Sequence, residues 1–319
     1  MSKKIVVLDG YPLNPGDLSW DSLRALLPNV EIHERTSAGD VLSRCADAEI
    51  VLTNKVRLSA EKLRELPKLR YIGVLATGFD VVDAVVARTQ DIVVCNIPAY
   101  GTRSVVQLVF AYILHWSNAV ASHAVRVRGG AWTQSPDWSF WDSPLHEIAG
   151  KTLGIIGFGR IGQQAGRIGH AFGMKIAAAT RSPKAVDYPV SIVPMNELFS
   201  ISDFLTLHCP LTPETRGLVD ATHLSLMKPS AYLINTARGP IVNEADLAVA
   251  LNSGVIAGAA LDVLSGEPPP QSNPLLQARN IVITPHYGWA TVEARGRLLA
   301  TAVENVRGFL TGHLQNVVN

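Results

Sequence analysis

Thr152-Leu153-Gly154-Ile155-Ile156-Gly157-Phe158-Gly159-Arg160-Ile161-Gly162 sits near the middle of the chain and orders everything around it. The apolar run Thr152–Ile156 reads as a buried strand, and the pattern running on to Phe172 reads as a helix. Between them stands G-x-G-x-x-G. That spacing is weak alone but specific after a strand and before a helix, where it marks a dinucleotide site. Gly157 permits the tight turn, Gly159 lets the backbone approach a pyrophosphate, and Gly162 allows close helix–strand packing. The helix start adds unpaired N–H groups and a positive dipole end. Phe158, Arg160 and Ile161 join the three glycines as cofactor-binding candidates.

Short apolar runs alternate with helical patterns on both sides of this unit. Before it, Ile5–Leu8, Ile50–Thr53, Tyr71–Leu75 and Ile92–Cys95 read as buried strands, with an amphipathic stretch at Ser59–Leu66 capped by Ser59. After Lys151 come Thr152–Ile156, Lys175–Ala179, Phe204–Leu207, Tyr232–Asn235, Ala257–Asp262 and Ile281–Thr284. Continuous apolar strands separated by helices imply parallel sheets covered on both faces. The expected fold is α/β, with two doubly wound Rossmann-like domains separated by a hinged cleft. A flavodoxin-like substrate domain takes residues 1–101 and 290–319, and a dinucleotide domain takes residues 102–289. The crossings fall on a helix from Thr102 to about His115 and a final helix from about Thr291 to Leu310.

Bulk properties narrow the partners. The 319 residues carry a formal net charge of +1 and 47% hydrophobic residues, which gives no reason to expect nucleic acid or an anionic membrane. Three unpaired cysteines, Cys45, Cys95 and Cys209, fit a reducing, cytoplasmic setting. The nine histidines show no metal-ligand spacing, so no metal is expected. Trp132, Trp138, Phe140 and Trp141 crowd the polar segment Val125–Pro144, a pattern expected of a homodimer contact.

The strand after the glycine motif ends in Ala179-Thr180-Arg181-Ser182, with no carboxylate to accept from a ribose 2′-hydroxyl. Arg181 suits a 2′-phosphate, with Thr180 and Ser182 adding hydrogen bonds, so NADP(H) is favoured and NAD(H) remains open. Arg238, Glu267 and His286 then follow three later strands at the ends where open α/β sheets bind ligands. Arg238 offers a planar fork for a carboxylate. His286 can donate a proton near neutral pH, and Glu267 would stabilise its imidazolium. On the other domain, the Ala76-Thr77-Gly78 turn offers backbone N–H groups to a substrate carboxylate.

With these residues in place, the chain resembles the D-isomer-specific 2-hydroxyacid dehydrogenase family across nearly its whole length. The carrying segments are Gly157–Gly162, His208-Cys209-Pro210-Leu211-Thr212-Pro213-Glu214-Thr215, Asn235-Thr236-Ala237-Arg238-Gly239, Leu261–Pro268 and Pro285-His286. The glycerate dehydrogenase, or hydroxypyruvate reductase, branch looks closest, on stretches such as Gly16–Trp20, Leu52–Lys55 and Gly73–Gly78. The resemblance implies that Arg238, Glu267 and His286 are catalytic and that Asp262 holds the nicotinamide carboxamide. It places Cys209, Pro210, Thr215, Thr236, Ala237 and Gly288, together with Thr102 and His286, at the cofactor. Asn54, Leu75, Ala76, Thr77 and Gly78 fall at the substrate with Arg238 and His286. The implied reaction is NAD(P)H-dependent reduction of hydroxypyruvate or glyoxylate to the D-2-hydroxy acid, and its reverse. The alternative is a dinucleotide-sensing, corepressor-like binding protein on the same fold. Thr180 departs from the aspartate of many members, and Tyr287-Gly288 departs from the small or apolar pairs common after the histidine.

Overall fold

Both expected sheets form, and every strand pair in them is parallel. The structure is a computed structural model that describes residues 3–319. The chain divides into two compact units, Met1–Gly101 with Trp289–Asn319, and Thr102–Gly288.

In the first unit, β1 (Lys4–Val7), β2 (Asn29–Ile32), β3 (Ile50–Thr53), β4 (Tyr71–Val74) and β5 (Val93–Cys95) form one sheet in the order β2-β1-β3-β4-β5. That is the flavodoxin-like order. β2 was not legible as a strand, because an edge position leaves Asn29 exposed and Val30, Glu31 and Ile32 only half-buried. Ser59 caps a helix of one turn and a half, Ala60–Arg64, by accepting from the Lys62 N–H. The closing helix, Val292–Thr311, starts after Thr291, whose hydroxyl accepts from the Ala294 N–H. Its Leu298, Ala302, Val303 and Val306 pack on Ile5, Val7 and Ile50 of the same unit.

In the second unit, β6 (Thr152–Ile156), β7 (Lys175–Ala179), β8 (Ser191–Ile192), β9 (Phe204–Leu207), β10 (Tyr232–Asn235), β11 (Gly258–Leu261) and β12 (Ile281–Ile283) stand in the order β12-β11-β10-β9-β6-β7-β8. β8 was not anticipated either; it is two exposed edge residues. Strand alternation divides the core in two. Leu153, Ile155, Ala178, Ile234 and Ala260 face the helix Thr102–Asn118, while Ile156, Ala179, Leu207, Leu233 and Leu261 face the opposite helical layer. Each such leucine or isoleucine contributes about 1.5–3 kcal/mol on burial, so both faces must be covered.

The helix Thr102–Asn118 runs three residues past the expected end, then bends by 56° into Val120–Arg128. No regular element follows until β6. In that segment Trp138 is 88% exposed, and the Trp132 indole N–H donates to its carbonyl at 2.9 Å. No single helix among the described residues is long and apolar enough to cross a membrane.

Candidate active site

The glycine motif has the local geometry that a pyrophosphate cradle requires. Gly157 has φ of +93°, and a Cβ on it would stand 2.5 Å from the Cys209 backbone nitrogen. A Cβ on Gly162 would meet the Gly157 carbonyl oxygen at 2.3 Å, so the helix Arg160–Ala171 packs hard against the turn it leaves. A Cβ on Gly159 would meet nothing within 4 Å. That open ground lies at a helix N-terminus, where an anion is favoured. Phe158 is buried beneath the turn, while Arg160 is exposed at the helix start and Ile161 half-buried.

The flanking strands extend this ground. At the end of β7, Thr180 accepts from the Ser182 N–H at 3.3 Å. Arg181 is exposed and makes no ion pair among the described residues, although its charge reaches Glu214 and Cys209. After β9, Thr215 knits its loop by accepting from the Thr212 N–H at 2.8 Å and donating to the Pro210 carbonyl at 2.7 Å. Burial pushes the Cys209 thiol up. Beside it, His208 lies 3.0 Å from the Thr206 hydroxyl and is driven down to about 3 by burial. The Thr236 hydroxyl, just past β10, is buried with no hydrogen-bond partner among the described residues. A buried polar group in that state calls for a ligand atom. Open space at Gly159, the helix N-terminus and the orphaned Thr236 hydroxyl together fit a dinucleotide.

The catalytic candidates occupy the adjoining strand ends. Asn235, buried at the end of β10, accepts from the Ala237 N–H and donates to the Arg238 carbonyl, both at 2.9 Å. These bonds fix the turn that presents Arg238, whose guanidinium is exposed and donates to the Ala237 carbonyl at 2.7 Å. The next residue, Gly239, lies so close to the loop after β11 that a Cβ would stand 1.9 Å from the Leu264 carbonyl carbon. Only glycine allows the Arg238 turn to seat there. In the same loop Glu267 accepts from the Leu264 N–H at 3.1 Å through Oε1, and its Oε2 lies 2.7 Å from His286 Nδ1. An ionised carboxylate only accepts, so Nδ1 carries the hydrogen.

His286 has φ of +53°, a left-handed conformation that costs a side-chain-bearing residue roughly 1–3 kcal/mol. Asp262 holds it there. Buried after β11, it accepts from the Thr284 hydroxyl at 2.6 Å, the Tyr287 N–H at 3.0 Å and the Gly288 N–H at 2.8 Å. Hydrogen bonds to a charged group contribute about 1.5–3 kcal/mol each, enough to hold the strained residue. Burial raises the Asp262 pKa against the pull of those donors. The helix that begins at Thr102 pins the same loop. Ser104 donates to the Gly288 carbonyl at 2.5 Å, and the Tyr112 hydroxyl bonds to that of Thr284. Ser104, Tyr112 and Thr284 are positioning residues that the sequence reading missed. Nothing local marks a serine or tyrosine inside an apolar helix as a partner of a loop far along the chain.

A sequence model described as "D-isomer specific 2-hydroxyacid dehydrogenase, NAD binding domain" matches residues 110–288. The hydroxypyruvate reductase of Blautia hydrogenotrophica is 49% identical, with 99% of each chain covered. This chain belongs to the D-isomer specific 2-hydroxyacid dehydrogenase family. The glycerate dehydrogenase of Methylorubrum extorquens is 39% identical over 100% of this chain and 99% of its own. Among solved structures, the NADPH-dependent glyoxylate/hydroxypyruvate reductase of Sinorhizobium meliloti, in complex with NADP and malonate, superposes with a TM-score of 0.84. It is 29% identical and covers 99% of this chain and 96% of its own. The family is one of nicotinamide-dependent oxidoreductases, which favours the enzyme over the dinucleotide-sensing corepressor.

The first unit carries the remaining candidates at the carboxyl ends of β3 and β4. Asn54 is buried and its side-chain amide donates to the Leu75 carbonyl at 2.6 Å. The Ala76 carbonyl accepts from the Ile97 N–H at 3.0 Å, and the Thr77 carbonyl from the Asn96 amide at 2.7 Å. The Thr77 hydroxyl donates to the Ile97 carbonyl at 2.8 Å. Among the described residues, the N–H groups of Ala76, Thr77 and Gly78 donate to no acceptor. Three successive open amides backed by anchored carbonyls are the kind of arrangement that suits an anion.

Proposed function

We propose that this dehydrogenase reduces hydroxypyruvate and glyoxylate to the D-2-hydroxy acids with NADPH as the preferred hydride donor, and runs the reverse oxidation. The Glu267–His286 pair carries the reading. It is pinned at the carboxyl edge of β11 and β12, and Leu264 of the loop that carries Glu267 lies against Gly239, the residue after Arg238, in the same sheet as the glycine motif.

A bound nicotinamide supplies the hydride to the substrate's C2, or takes it back. Arg238 binds the keto acid's carboxylate through its planar fork and draws electron density towards the carbonyl oxygen. On the first unit, the Ala76–Gly78 amides are proposed as a further carboxylate-binding group. His286 protonates the oxygen as charge develops there; with Nδ1 held by Glu267, the proton that moves is carried on Nε2. Glu267 fixes the ring's tautomer and direction. Asp262, whose oxygens already hold the histidine loop, is proposed to take the carboxamide as well. Relatives named for hydroxypyruvate and glyoxylate reduction support the choice of small keto acids.

The NADPH preference rests on Arg181, whose guanidinium after β7 makes no ion pair among the described residues, and on the lack of a carboxylate at Thr180. A homodimer joined through the exposed Trp132, Trp138 and Trp141 segment, in the cytoplasm, completes the proposal.

Purified protein mixed with hydroxypyruvate should consume NADPH faster than NADH at equal concentrations. Arg181→Ala should lower kcat/KM for NADPH by about tenfold to a hundredfold and leave NADH nearly unchanged. A protein that binds dinucleotide but never oxidises it with any of these keto acids would return the reading to a sensor.

A further inference from the structure

Asp9 lies just beyond β1, is 6% exposed, and belongs to none of the groups assigned above. Its Oδ1 accepts from the Asn54 N–H at 2.7 Å. Its Oδ2 accepts from the Lys55 N–H at 2.6 Å and the Val56 N–H at 3.1 Å. Three backbone donors from one turn thus converge on a single buried carboxylate. Burial pushes its pKa up while the donors pull it down, and among the described residues it pairs with no positively charged side chain. A carboxylate suits this place because it only accepts, whereas an amide would turn its NH2 onto one of the N–H groups.

What the turn holds gives Asp9 its importance. β1, β3 and β4 are neighbours in the sheet, and the bonds run across their carboxyl ends in that order. Asp9 fixes Asn54, Asn54 fixes the Leu75 carbonyl at 2.6 Å, and Leu75 begins the cradle. On the far flank Asn96 and Ile97 hold the Thr77 and Ala76 carbonyls. Every carbonyl from Leu75 to Thr77 is tied inward, and that sets where the open amides point.

We propose that Asp9 is a positioning residue for the substrate: through Asn54 it orients the Ala76–Gly78 amides that grip the keto acid's carboxylate. This rests on reading those amides as a carboxylate site. Release of the Asp9 side lets the Leu75–Ala76 peptide plane rotate and turns the Ala76 N–H away, while Asn96 and Ile97 still hold the rest of the turn in place. The keto acid then binds less well, and the dinucleotide, bound on the other unit's glycine motif, does not sense the change.

The test compares wild type, Asp9→Asn, Asn54→Ser and the double variant by steady-state kinetics with hydroxypyruvate and NADPH, alongside thermal unfolding. Each single variant should raise the hydroxypyruvate KM by about tenfold and leave the NADPH KM within about twofold. The double variant should be no worse than the worse single one, because both cut the same relay. A wild-type hydroxypyruvate KM with a lowered Tm, KM values that rise equally for both substrates, or additive effects in the double variant would overturn the proposal. If Asp9→Asn does not accumulate, Asn54→Ser decides alone, since it keeps the backbone N–H groups bound to Asp9 but loses the bond to Leu75. An inactive wild type would instead count against the proposed reaction.

Discussion

At the scale of single residues, the site depends on which hydrogen bonds a side chain can still change once its partners are set. Glu267→Gln keeps the shape of the side chain but loses the charge and one acceptor facing His286 Nδ1. The variant should lower kcat for keto-acid reduction by about a hundredfold or more, with kcat/KM falling in step and NADPH binding unchanged. Stopped-flow kinetics and a dinucleotide titration check both halves. Normal turnover with only a lowered melting temperature would make Glu267 a loop fastener and no more. Arg238, Glu267 and His286 were legible because each ionisable group follows an apolar strand, at the end where open α/β sheets bind ligands. Asp9 was not legible, since an aspartate ending a strand resembles any turn former until its three donors are seen.

At the scale of elements, the glycine turn offers a paired test. Gly159→Ala adds a methyl group where no atom lies within 4 Å, so stability should stay within about 0.5 kcal/mol of wild type while NADPH affinity falls by about tenfold or more. Gly162→Ala drives a methyl group to 2.3 Å from the Gly157 carbonyl oxygen and should cost about 1–3 kcal/mol in stability besides affinity. Denaturant unfolding and a fluorescence titration of both variants separate the two effects; equal losses of stability would refute the division of roles. Long buried strands such as β6 and β10 were visible as apolar runs. The edge strands β2 and β8 were not, because exposure removes the hydrophobic signal.

For the whole molecule, two readouts follow. His208 holds a pKa of about 3 in the fold against 6.5 in the open chain. The unfolded chain therefore binds the proton more readily between those values. The stability present above pH 6.5 is lost progressively as pH falls towards about 3, at no more than about 1.4 kcal/mol per pH unit. Asp9 and Asp262, raised by burial, act in the opposite sense, so the effect is read as a difference. His208→Gln should lose less stability than wild type between pH 6.5 and pH 4 in denaturant melts; parallel curves would exclude the histidine as the source. The second readout is assembly. Trp138→Ser with Trp141→Ser should shift the proposed dimer to monomer in sedimentation at micromolar protein, whereas an unchanged sedimentation coefficient would refute the proposed contact.

The amino-acid order alone points to the class of reaction and the class of fold. A glycine spacing between strand and helix, and three ionisable residues placed past apolar runs, are local patterns that survive without coordinates. Folding had to decide how those groups are held. Ser104 meets Gly288 across 184 residues, Tyr112 meets Thr284 across 172, and Asp9 meets Asn54 across 45. No local pattern encodes such pairs, because each arises only when separate strands and helices close on one another and buried polar groups must find partners.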